Sequence, residues 1–207
     1  THRLSSAASD VYKRQNLPIV IIETAQGQEI PNDPKIDATM QIIFKGDGER
    51  NFLSDVNDPT ALDYDGAIKI EYRGSTSSLL DKKQYAFSPY DDSGEKVNEE
   101  FLDMPKENDW ILNGLAYDPS FIRDFISYRL SNLTGNYASR GRYCEVILNG
   151  DFRGIYILQE KLKADDSRID INKIKPEDLT LPKLTGGYIT KTPVSYTHLT
   201  LPTRDDG

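Results

Sequence analysis

Three aspartates and an arginine crowd into Asp165-Asp166-Ser167-Arg168-Ile169-Asp170. Carboxylates packed this densely can orient or deprotonate an attacking hydroxyl and hold a divalent cation, and a guanidinium among them can steady a phosphate or a carboxylate. An acidic surface loop has the same composition. A second group of polar residues lies upstream. Arg73-Gly74-Ser75-Thr76-Ser77-Ser78 follows an apolar stretch, and Lys82-Lys83 follow it in turn. A Gly/Ser turn after a strand presents backbone N–H groups and hydroxyls to an anion. The turn hydroxyls, among them Ser75 and Ser77, and the charges of Arg73 and of Lys82 or Lys83 are therefore the candidate anion-binding groups. A solvated turn with surface lysines reads the same way. Glu160 ends an apolar run and can pair with Lys83 or face water.

The two chain ends limit the remaining chemistry. Asp10-Val11-Tyr12-Lys13-Arg14-Gln15 can be encoded by GATGTGTATAAGAGACAG. The complementary strand, read from its third base and continued by one T, encodes Val194-Ser195-Tyr196-Thr197-His198-Leu199. Protein selection has no reason to make two ends of one chain complementary in DNA. Residues 1–15 and 194–207 are accordingly expected to be translated library adapter, with residues 16–193 the native, partial domain. Both histidines, His2 and His198, fall in those ends, and the chain has one cysteine, Cys144. The segment between them therefore has no histidine triad, no His/Cys zinc site and no internal disulfide. Its chemistry must come from carboxylates, lysine, arginine, hydroxyls or an oxygen-ligated metal.

The whole chain has 207 residues and a net charge of −8, so it can bury a sizeable core and is a poor partner for free nucleic acid. No apolar run approaches the roughly 20 residues of a membrane span. Leu17–Thr24 is apolar and β-branched and reads as a buried strand. Ala38–Phe44 reads as the next. In 67–73, Ile68, Ile70 and Tyr72 alternate with Lys69, Glu71 and Arg73, the pattern of a half-buried strand. Lys83–Phe87 and Trp110–Leu112 are shorter candidates. Asp118-Pro119 has the cap and first-turn residues of a helix whose inward face is Ile122, Phe125, Ile126, Leu130 and Leu133, closed by Gly135. Arg142–Leu148 and Phe152–Gln159 flank Asn149-Gly150, a hairpin turn. Residues 161–175 read as charged loop or short helix, and Gly187–Lys191 as the start of a strand. The expected class is α+β, mostly antiparallel strands with one main helix.

Four ordered segments carry a resemblance. They are Arg73–Ser78 with Lys82–Tyr85; Met104–Asn113; Asp118–Arg123; and Val146–Tyr156 running on to Glu160-Lys161. Gly186–Ile189 fits the segment that follows. In order and spacing the set resembles the CotH (spore-coat protein H) kinase family. The resemblance implies an atypical protein-kinase-like fold, truncated here at its C-terminal part. It implies a transferase that moves phosphate from ATP, with Mg²⁺ or Mn²⁺, to serine or threonine of secreted, surface or spore-coat proteins. The partner is then a protein substrate and the location extracellular or cell-surface. Carried onto this chain, the catalytic candidates are Asp165 and, second, Asp166. The nucleotide-binding candidates are Arg73, Ser75, Ser77, Lys83 (with Lys82 the alternative), Glu160 and Arg168. Arg123 pairs with a carboxylate or contacts substrate. The family's metal-holding aspartate follows the strand at Gly187, so the metal ligands here are unknown and the piece alone is expected to be inactive. The aspartates start only at Asp165, with Lys161 and Lys163 ahead of them. That shift motivates a second reading, a non-catalytic adhesion domain of the same fold. A glycosidase with paired carboxylates is the third.

Overall fold

The computed structural model describes residues 16–74, 76–171, 177 and 179–181. The chain divides at residue 162 into two units, and the first holds all the regular structure named below. Its strands are β1 (Ile19–Thr24), β2 (Ile36–Ile43), β3 (Leu62–Arg73), β4 (Gln84–Tyr90), β5 (Glu99–Phe101), β6 (Met104–Glu107), β7 (Trp110–Asn113), β8 (Gly141–Leu148) and β9 (Asp151–Glu160). One α-helix, α1 (Arg123–Leu133), lies among the described residues.

Seven strands close into a barrel in the order β1-β2-β3-β4-β7-β9-β8. Six of the seven pairings are antiparallel. The seventh, β1 with β8, is parallel, with Ile19 level with Glu145 and Ile22 level with Leu148. The interior is filled by alternate residues of every strand, among them Met40, Ile70, Phe87, Trp110, Val146 and Leu158. This alternation is what a pleated strand imposes, and closure leaves the barrel no free edge. The β5–β6 hairpin plugs one end. Phe101 sits edge-on to Trp110 and to Tyr64 with ring centroids 4.9 Å apart in both cases, and the Leu102 N–H donates to Asp63 at 2.9 Å. A smaller cluster of Ile19, Ile43, Ala61 and Ile147 packs outside the barrel. The two-sided burial explains why β1 reads as an unbroken apolar run.

The closed barrel corrects the expected α+β, kinase-like fold. The strands were legible, but closure is not: it depends on a parallel pairing between residues more than a hundred positions apart. The helix departs from expectation too. It begins at Arg123, not Pro119, because Phe121 takes a left-handed φ of 59° and interrupts the path. Asp118 still serves it from outside, its carboxylate accepting the Arg123 N–H at 2.8 Å. The expected inward face points outward. Ile122, Ile126, Leu130 and Leu133 are 48%, 46%, 57% and 73% exposed, and only Phe125 packs, its ring centroid 4.7 Å from that of Tyr143. The Asn149-Gly150 turn is as expected, with φ of 52° and 79°. Asn149 also ties β1 to the turn, its side-chain oxygen accepting the Thr24 N–H at 2.8 Å. The expected strand at Gly187–Lys191 lies outside the described residues.

One carboxylate sits badly in this scaffold. Glu145 is 6% exposed on β8, level with Ile19 of β1 and Ile155 of β9. Burial pushes its carboxyl up to about 7. The folded state then holds a proton that the unfolded chain has lost above its ordinary value of 4.5. Stability must therefore fall as pH rises from about 4.5 to about 7. Urea titrations across that range are expected to show this decline in the wild type and a flatter profile in Glu145→Gln. Equal slopes in the two proteins would contradict the assignment.

Candidate functional site

The β3–β4 connection holds the first group of candidate residues. Gly74, with φ of 114°, turns the chain, and a 3₁₀ turn at Thr76–Leu79 follows. Ser75 lies outside the described residues. Ser77 is half-buried, its carbonyl accepting the Leu80 N–H at 3.3 Å. The two lysines then diverge. The Lys82 ammonium donates to the Ile155 carbonyl at 2.6 Å and lies 4.7 and 4.8 Å from the ring centroids of Phe121 and Tyr156. Burial lowers its pKa, and the two ring faces offset part of that cost. Lys82 is thus a pin between the connection and the barrel rim. The Lys83 ammonium lies 5.7 Å from the Tyr72 ring on the same rim. Tyr72, Tyr85 and Tyr156 form a ladder there, with centroids 5.4 and 6.2 Å apart, and burial pushes the Tyr85 hydroxyl up to about 12.

Arg73 points to the outer face instead. Its guanidinium donates to Gln84 at 3.3 Å, and burial lowers its pKa while the Tyr128 hydroxyl acts against that shift. From Arg73 a row of polar side chains runs beneath α1. Asn113 donates to Gln159 at 3.3 Å, and its own side-chain oxygen accepts the Leu115 N–H at 3.1 Å. Asn113 and Gln159 are both 6% exposed. Two cavities flank the row. One, of about 240 Å³, is lined by Gln84, Asn113, Asp118, Arg123 and Asp124. The other, of about 360 Å³, lies between α1 and β8–β9 and includes Phe125, Tyr128, Ile157 and Gln159 in its wall. Arg123 pairs with Asp118 at 3.7 Å but is 75% exposed, so the pair contributes little.

Glu160 lies elsewhere. Its side chain is fully buried and accepts two bonds from the Arg140 guanidinium, at 2.7 and 3.0 Å, one from the Arg140 N–H and one from the Tyr137 hydroxyl, both at 3.0 Å. Glu160 is level with Trp110, and Trp110 with Phe87. Lys83 is four residues from that level, about 13 Å along the strand and two strands across. The register puts a Lys83–Glu160 pair out of reach.

In the second unit, Asp165 organises a turn. Its carboxylate accepts the Ser167 N–H at 3.0 Å and the Ser167 hydroxyl at 2.9 Å, bonds that lower its pKa. The Arg168 N–H donates to the Asp165 carbonyl at 3.0 Å, and the Asp165 N–H to that of Ile169 at 3.1 Å. Asp166 and Asp170 are exposed, and Arg168 is buried.

Residues 70–192 match the family of the CotH kinase protein. The chain belongs to the CotH kinase family. No curated protein matches it. The matched residues begin at the end of β3 and take in the β3–β4 connection, α1, the β8–β9 hairpin and the 165–170 turn. In this CotH kinase family domain the first unit gathers Arg73, Ser77 and Lys83 around one connection and holds Glu160 at a different level of the barrel. Sequence reasoning missed Asn113, Tyr128, Arg140 and Gln159. A signal existed for one of them: Asn113 is a single polar residue ending the otherwise apolar strand β7. Arg140 carried none, because nothing local marks it as the partner of Glu160.

The Glu160–Arg140 pair is asymmetric, and that gives a test. Arg140→Ala removes the guanidinium from a fully buried carboxylate and is expected to cost about 3–5 kcal/mol. Glu160→Ala leaves a guanidinium whose side chain is 36% exposed and can rehydrate, and should cost clearly less. Urea unfolding of both variants measures the difference. Equal costs, or the reverse order, would contradict this reading.

Proposed function

We propose that the intact domain is an ATP-dependent protein kinase, acting with Mg²⁺ or Mn²⁺ on serine or threonine of secreted, surface or spore-coat proteins. Family membership carries the reading. The cations of the β3–β4 connection support it: Arg73 and Lys83, with the Ser77 hydroxyl, suit the phosphates of a nucleotide. Among the described residues no three His, Cys, Asp or Glu side chains converge as a metal site, so the metal's ligands are not assigned. The metal, when bound, neutralises the charge of the phosphates.

In the transfer, the substrate hydroxyl oxygen forms a bond to the γ-phosphorus, the bond to the β-phosphate oxygen breaks, and ADP leaves. The hydroxyl proton passes to a carboxylate. We assign that role to exposed Asp166. Asp165, already engaged by Ser167, shapes the turn; its depressed pKa makes it the weaker proton acceptor. Arg168 steadies the turn or the phosphates.

A second reading, a non-catalytic surface-binding domain, draws on one observation: α1 turns Ile122, Ile126, Leu130 and Leu133 to solvent. Transfer from radiolabelled ATP by the full-length parent, with metal and candidate surface proteins, separates the two. The kinase reading expects transfer that falls by about 10²–10⁴ in Asp166→Ala, and falls in Lys83→Ala through weaker nucleotide binding. Absence of transfer, with partner protein still captured, would establish the second reading.

A further inference from the structure

We infer that the cavity between α1 and the β8–β9 face is a nucleobase pocket, with Gln159 as the residue that reads the edge of the base. The inference takes only the class of ligand from the kinase reading. The cavity, at about 360 Å³, falls within the size range of small-molecule sites. Half of its lining is polar or charged (Arg129, Asn132, Ser139, Arg140 and Gln159), and the rings of Phe125 and Tyr128 supply flat apolar faces on which a planar ring can stack.

Gln159 is more than nine-tenths buried and lines the cavity. Its side-chain oxygen accepts Asn113, which leaves the amide NH₂ for an acceptor atom on the edge of a heterocycle. Gly141, also in the lining, keeps the floor low, since a Cβ there would sit 2.6 Å from Ile157 and 3.1 Å from the Gln159 Cβ.

The cavity also points the right way. Tyr128, in its wall, is an electrostatic neighbour of Arg73. From β9, which carries Gln159, to β3, which carries Arg73, is three strand spacings, about 14 Å. An extended nucleoside triphosphate spans that distance. A base against Gln159 thus leaves its phosphates near Arg73 and the β3–β4 connection.

Calorimetry on the 207-residue chain, with adenosine, ATP and inorganic tripolyphosphate as probes, tests this. Adenosine should bind and compete with ATP. Gln159→Leu should weaken both by about tenfold, since a base edge is left without its donor. Tyr128→Ala should weaken both as well, and Arg73→Ala should weaken ATP but not adenosine. Thermal melts confirm that each variant is folded. Unchanged ATP affinity in folded Gln159→Leu and Tyr128→Ala, or failure of adenosine to bind while tripolyphosphate displaces ATP, overturns the pocket. Phosphoryl transfer by a parent whose KM for ATP is unmoved by Gln159→Leu would overturn the pocket and leave the kinase reading standing. Nucleotide binding as described, with no transfer, would do the reverse.

Discussion

The parallel pairing of β1 with β8 is the constraint on which the rest of the first unit depends. Without it the seven strands form an open sheet with two free edges. With it they enclose one core, and the ends of that core become defined places. The pairing joins residues 19–22 to residues 145–148 and is reinforced by the Glu145 N–H donating to the Pro18 carbonyl and the Asn149 N–H to that of Ile22, both at 2.9 Å. The family match begins at residue 70, yet β1 and β2 supply two of the seven strands. Residues 16–69 are therefore part of the folding unit, and the matched residues alone would leave the barrel unclosed.

The barrel in turn decides which charged groups are structural. Lys82 is spent on the rim, between two rings and a carbonyl. Glu160 is spent on Arg140 and Tyr137, at a different level. Around the β3–β4 connection Arg73 lies on the outer face and Lys83 at the rim, with the Asn113–Gln159 pair beneath the helix. That helix buries none of its residues fully and sits over cavities on either side of a polar row. A close-packed helix–sheet contact has no such voids. The imperfect seat of α1 is what gives the outer face room for a ligand.

Local patterns made much of this legible. Period-two alternation marked β3, an apolar β-branched run marked β1, and Asn149-Gly150 marked the β8–β9 hairpin with the correct turn geometry. Barrel closure was not legible, because strand patterns do not say which strands pair across a hundred residues. The β5–β6 plug was missed because Glu99–Glu107 is mostly polar and only Phe101, Leu102 and Met104 enter the core. The direction of α1 was misread for a related reason. Its apolar stripe is real, but a stripe records that a face is apolar, not which surface it meets. At the site, Arg73 and Lys83 were readable as cations after a Gly/Ser turn. Lys82 and Lys83 differ only through tertiary contacts that no spacing encodes.

The central claim is that a nucleotide lies along the outer face, from the cavity under α1 to the β3–β4 connection. Amide hydrogen exchange on the 207-residue chain, with and without ATP and Mg²⁺, addresses it directly. The account predicts slower exchange in residues 74–83 and 123–141 and no change in the β5–β6 plug at the end of the barrel. Protection confined to the plug, or none anywhere at saturating ATP, would contradict it.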